Sequence, residues 1–233
     1  MIADNNQNDL IMKTGWYKHI RPGNITICAT AIILTLTAAA TLSFKNDDDK
    51  YKSWDEIKAV TARDSMVSIN SFMQVYKVLM SPRCMNCHPS GDIPLNGDDH
   101  HLHPQGVKRG PEGKGVYALK CTNCHQKQNT PGLNMPPGTA EEWHLPPADM
   151  KLVFQGKTPQ ELAEQIKDPK RNGGKSPHDL LEHVKTDLVK WGWNPGEGRS
   201  TPPLSYAEFV KQWNQWINSG AVAPAKGEKL ARK

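Results

Sequence analysis

Apolar side chains are scarce in this chain. They make up 37% of its 233 residues, less than a domain of this size usually needs to build a core from side chains alone. Two readings follow: a partly disordered protein, or a domain whose core is completed by something else. Strand-like alternation of any length is missing, and so is a βαβ pattern that could carry a thioredoxin-like redox site. Charge of one sign is concentrated nowhere. The net charge of +5 is spread thinly, with no arginine-rich block and no basic helix face interleaved with aromatics, which argues against nucleic acid. A mild positive balance serves solubility, and would also suit docking to an acidic partner. Cysteine is scarce too: there are five, and they form no iron–sulfur signature. No molybdopterin signature is present either.

Long apolar runs are lacking with one exception. Residues 25–44 carry no charge, follow Lys13, Lys18 and Arg21, and precede Lys45-Asn46-Asp47-Asp48-Asp49-Lys50. The basic flank should stay in the cytoplasm, so the remainder is exported. Twenty apolar residues are enough to span a bilayer and long for a signal-peptide core, whereas Ala38-Ala39-Ala40 offers a cleavage site. The segment is therefore a signal peptide or an uncleaved inner-membrane anchor, and either places the rest in the periplasm. Cys28, inside it, reads as a small apolar residue; Ile25-Thr26-Ile27 before it does not resemble a lipoprotein signal.

The other four cysteines all fall in two pentapeptides, Cys84-Met85-Asn86-Cys87-His88 and Cys121-Thr122-Asn123-Cys124-His125. Both read C-x-x-C-H, the attachment signature of c-type haem. Two thiols at that spacing can each add to one vinyl group of a haem, and the following histidine then lies under the iron as its proximal ligand. Two such pentapeptides within 42 residues point to two haem c groups, large apolar plates that supply the missing core. Zinc is the competing reading, but paired C-x-x-C zinc sites are usually about 15–20 residues apart. Here 33 residues lie between Cys87 and Cys121, and zinc gives no reason for the two histidines. Disulfides or a redox-active C-x-x-C are also open to an exported protein.

Around the pentapeptides the chain reads as four or five helices joined by long loops. Ser53 and Glu56 form a capping box. Val67, Ile69, Phe72, Met73, Val75, Tyr76, Leu79 and Met80 then follow a mostly helical period that ends at Pro82. Residues 89–115, rich in glycine and proline, form a loop. Residues 115–120 read as a short turn of helix. Thr158-Pro159 with Glu161, Ser176-Pro177 with Asp179, and Ser205 with Glu208 open three further helices. Gly220 is a fitting C-cap. Leu180, Leu181, Val184 and Leu188 form one apolar stripe.

Candidates for the distal side of each iron come from these segments. Asp98-Asp99-His100-His101-Leu102-His103 places three histidines within four residues, and His103, leading towards the second pentapeptide, is preferred. His144, in Trp143-His144-Leu145-Pro146-Pro147, is the second choice. His183, beside Val184, and Met135 and Met150 are runners-up; both methionine settings resemble the distal-ligand loops of cytochromes c. His178 reads as solvated.

The pentapeptides, with Pro89-Ser90-Gly91-Asp92, Val107-Lys108-Arg109-Gly110-Pro111, Asn134-Met135-Pro136-Pro137-Gly138, Trp143-His144-Leu145-Pro146-Pro147, Lys167-Asp168-Pro169, Asn172-Gly173-Gly174 and Trp191-Gly192-Trp193, resemble a group of exported bacterial dihaem proteins. Members are sometimes labelled as a subunit of isoquinoline 1-oxidoreductase, a molybdenum hydroxylase. The closing Trp216-Ile217-Asn218-Ser219-Gly220-Ala221 is similar to the last helix of many exported cytochrome c domains. The resemblance, over roughly 66–222, implies an electron-accepting partner of such a hydroxylase rather than the hydroxylase itself. The expected layout is a cytoplasmic n-region over 1–24, the apolar segment 25–44 and a linker with a first helix over 45–65. A mainly α, cytochrome c-like domain wrapped around two haems follows over 66–222, then a basic tail over 223–233. The expected role is electron transfer between redox proteins without catalysis. A dihaem peroxidase-like enzyme with one open haem is the alternative, and a haem-based sensor would need a signalling domain that the short n-region does not provide.

Overall fold

The computed structural model describes residues 53, 54, 57 and 61–227. The n-region, the apolar segment with Cys28, and Glu56 of the first capping box lie outside the described residues. The Ile57 amide donates to the Ser53 carbonyl at 3.1 Å, the spacing of a helical turn.

The protein is mainly α. Helix α1 (Ala62–Leu79) is capped by Thr61, whose hydroxyl accepts from the Asp64 amide. It ends where Pro82 opens α2 (Pro82–Met85), the turn that carries the first pentapeptide. Helices α3 (Pro159–Ile166) and α4 (Pro177–His183) each have proline in the first turn and a closed capping box, Thr158 with Glu161 and Ser176 with Asp179. Helix α5 (Asp187–Lys190) is a single turn. Helix α6 (Tyr206–Asn218) has only half the expected box: the Ser205 hydroxyl accepts from the Glu208 amide, but the Glu208 carboxylate turns to Gln212 instead. Gly220 follows the cap at φ 113°.

Two expectations are corrected. Residues 115–120 form a minimal antiparallel hairpin, β3 (Gly115–Val116) with β4 (Leu119–Lys120), not a helical turn. Six residues gain too few helical bonds to offset nucleation, and Gly115, at φ 86°, packs so tightly that a Cβ would sit 2.3 Å from the Leu119 carbonyl oxygen. A similar hairpin pairs β1 (Leu95–Asn96) with β2 (His101–Leu102). The stripe of Leu180 and Leu188 is not one helix, because the chain leaves α4 after His183 and restarts at Asp187 with Thr186 as N-cap.

The core forms where α1 lies against α6. The Phe72 and Trp216 rings meet at 4.6 Å, and the buried Ser68 hydroxyl donates to the Trp216 carbonyl while accepting from the Val222 amide. Leu162, Ile166, Leu180 and Val184 close this core from α3 and the end of α4. Each such side chain contributes roughly 1.5–3 kcal/mol on burial. The loops from 89 to 157 carry no long element and are pinned instead by buried cations. The Arg109 guanidinium, 1% exposed, donates to the carbonyls of Pro146 at 2.6 Å and Gly91 at 3.2 Å. Arg83 pairs with Asp98 and reaches the Gly97 carbonyl. Among the described residues no helix is long and apolar enough to cross a membrane.

Candidate functional site

The first pentapeptide is presented by α2. Proline at its first position and the Ser81 carbonyl, which accepts from the amides of Cys84 and Met85, set the turn. Both thiols are free. The apolar wall pushes Cys84 up to about 12 and Cys87 up to about 11. A redox-active or nucleophilic thiol needs the opposite shift, so these cysteines are poor thiolates.

His88 is fixed from both sides by residues far along the chain. Its Nδ1 lies 2.8 Å from the Leu152 carbonyl, and its ring stacks on Phe154 at 3.9 Å and 10°. A carbonyl only accepts, so Nδ1 carries the hydrogen and Nε2 presents its lone pair. Burial holds the ring neutral, its pKa pushed down to about 3. A carbonyl on Nδ1 fixes the ring's tautomer and orientation and leaves Nε2 free to ligate a metal.

Beside it opens a cavity of about 350 Å³ walled by Leu79, Phe154, Ile166, Leu180, Val184 and Trp213, with Cys84, Cys87 and His88 on its surface. His183, His144 and Met150 line the same cavity. Neither ring nitrogen of His183 has a hydrogen-bond partner among the described residues, and desolvation lowers its pKa. His183 is also near enough for its charge to lower the pKa of His88. His144 has its Nδ1 on the Glu142 carbonyl at 2.8 Å.

The second pentapeptide repeats the design with a different fold around it. A 3-10 turn over Cys121–Asn123 leads to His125, whose amide donates to the Cys121 carbonyl. Its Nδ1 meets the Pro137 carbonyl at 2.8 Å, and its ring stacks on Trp143 at 4.3 Å and 11°. Burial pushes its pKa down to about 4. Across from it stands His103, ring centres 6.4 Å apart and planes at 63°. The three clustered histidines differ in their partners. His100 is engaged with the Asn86 side chain and His101 with Asp99, whereas among the described residues the buried His103 Nδ1 has no hydrogen-bond partner, and the Gln105 side chain acts on the same ring. The Met135 side chain is 42% exposed. The Pro137 carbonyl, two residues on, is the one that holds the His125 Nδ1.

Among the described residues, no three or more His, Cys, Asp or Glu side chains gather in a way that would hold a bare metal ion. Each centre offers instead one oriented imidazole beside two free thiols. That donor set needs its remaining donors from a ligand, and a porphyrin brings four. The surroundings fit such a plate. The first site has its apolar cavity. At the second, Leu102, Tyr117, Leu119, Leu133 and Met135 are all exposed, and all sit on segments that carry or contact His103, Cys121 or His125. The ring partners Phe154 and Trp143 and the Arg109 tie were not foreseen from the sequence as parts of the site; Trp143 was singled out only as the neighbour of His144. No protein-family model, curated protein or solved structure matches this chain.

Proposed function

We propose that the protein is a periplasmic dihaem c-type cytochrome that carries electrons. The observation behind this reading is the matched pair of imidazoles. Each follows a C-x-x-C pair with both thiols free, each has its Nδ1 2.8 Å from a backbone carbonyl, and each stacks on a buried ring. Cys84 and Cys87 would attach one haem and Cys121 and Cys124 the other, with His88 and His125 as proximal ligands. Bound iron supplies reversible one-electron chemistry. The chain holds both imidazoles neutral and oriented, walls the first site with apolar side chains, and offers His183 at the first centre and His103 at the second as distal ligands. A pair of imidazoles gives a lower potential than imidazole with thioether. The proposed donor is a molybdenum hydroxylase or another dehydrogenase, a choice that rests on the resemblance alone. Intact mass and a pyridine haemochrome spectrum, on protein made in a host with haem c maturation, test the core of the reading. Two covalent haems per chain are expected, and a mass without them overturns it.

A further inference from the structure

Trp143 belongs to both centres. Its ring lies nearly flat on His125, 4.3 Å away, and the same indole lines the cavity beside His88. Trp191, also on the wall of that cavity, meets Trp143 edge-on at 4.7 Å and 79°. Trp143 is 7% exposed, and its segment is held rigidly: the Leu145 amide donates to the Gly113 carbonyl at 2.9 Å. Lys114 pairs with Glu142 at 2.8 Å. Arg109 bridges Pro146 to Gly91, three residues past His88. Phe154, the corresponding ring at the first centre, stacks on His88 and lines the same cavity.

We propose that Trp143 is the shared wall of the two haem sites, a positioning residue that fixes the plane of the His125 imidazole while closing the first cavity. The two tasks need different parts of the side chain. A flat ring suffices to stack on His125, but the full indole is needed to fill the cavity wall, where a missing ring leaves a gap. This inference rests on the dihaem reading, which the haem mass tests separately and first.

The experiment is electron paramagnetic resonance of the oxidised, haem-loaded protein, where the low-spin signals report the orientation of the axial imidazoles. The second centre's signal is identified as the one that His103→Ala removes. Trp143→Leu is expected to shift both signals and Phe154→Leu only the first. Trp143→Phe keeps a stacking ring but not the wall, so it is expected to leave the second signal in place and shift the first. If Trp143→Leu does not assemble, Trp143→Phe carries the test alone. An unchanged first signal in Trp143→Phe overturns the proposal, as does a Trp143→Leu protein in which one signal or neither moves.

Discussion

His103 offers the sharpest test of the second centre, because its geometry can be worked out before any measurement. An iron or zinc ion bonds an imidazole nitrogen at about 2.0 Å, and the ring centre lies roughly 1.1 Å behind that nitrogen, so two rings on opposite sides of one ion have centres about 6.2 Å apart. The His103 and His125 rings stand 6.4 Å apart. The observed spacing is that expected of two imidazoles sharing one iron, and it motivates the test. Replacing His103 with alanine removes one axial ligand and leaves His125 stacked on Trp143. In haem-loaded protein the expected result is loss of the low-spin spectrum from one haem of the two, with a high-spin signal in its place that added imidazole reverses. His101→Ala, at a ring already engaged with Asp99, should leave both haems low-spin. His103→Met should keep the haem low-spin and raise its potential, since a thioether favours reduced iron. Two haems that stay fully low-spin in His103→Ala would refute the geometric argument, whatever the protein does.

At the first centre, His183→Ala should convert the other haem to high spin while His144→Ala leaves it unchanged; the reverse pattern, read from the same spectra, makes His144 the ligand. Ser68→Ala removes the partner of the Val222 amide and one of two donors to the Trp216 carbonyl, which keeps the Ala221 amide, and should cost about 1–3 kcal/mol in chemical denaturation, without altering either haem spectrum. The carboxyls of Glu161 and Asp179 are held below the usual range, Glu161 mainly by the Thr158 amide and Asp179 mainly by the Ser176 hydroxyl. A depressed folded pKa gives stability that is complete above the unfolded value, about 4, and lost as pH falls below it. Hydrogen exchange at the starts of α3 and α4 should therefore speed up on acidification below that point, beyond the intrinsic pH trend, and Glu161→Gln with Asp179→Asn should remove the excess.

What was legible in the sequence was local. Thr158, Pro159 and Glu161 lie within four positions, and so do Ser176, Pro177 and Asp179, so the signal and the structure it makes share one helical turn. The pentapeptides are local in the same sense. The hairpin at 115–120 escaped because its tip is Tyr117, at φ 46°, where a glycine or asparagine would have announced a turn. The break between α4 and α5 escaped because apolar spacing runs through Thr186 unchanged. The settings of the two imidazoles were illegible for a different reason. His88 meets a carbonyl 64 residues away in sequence and His125 one 12 residues away, and nothing in the spacing of C-x-x-C-H names either. Sequence preferred His144 to His183 because prolines stiffen its backbone. In the structure His183 closes α4 and lines the first cavity, and His144 lines the same cavity with its Nδ1 on the Glu142 carbonyl.

His183 is also where a carrier and an enzyme part company. A peroxidase-like centre needs an iron face that a small ligand can reach, with a side chain nearby to move protons. A carrier needs both faces filled. The first cavity presents the His183 imidazole within electrostatic reach of His88, and the same ring could fill either role, as ligand or as base. What separates them is whether it bonds the iron. Burial lowers the pKa of His183, which keeps the ring neutral at pH 7 and its lone pair available, the condition a ligand requires. A ring bonded to iron must be displaced before cyanide or carbon monoxide can enter. The wild-type protein is therefore expected to react with neither at moderate concentration, and His183→Ala to bind both at one haem only. Rapid cyanide binding by the wild-type protein, unchanged in His183→Ala, would put the ring away from the iron and move the first centre to the enzyme class.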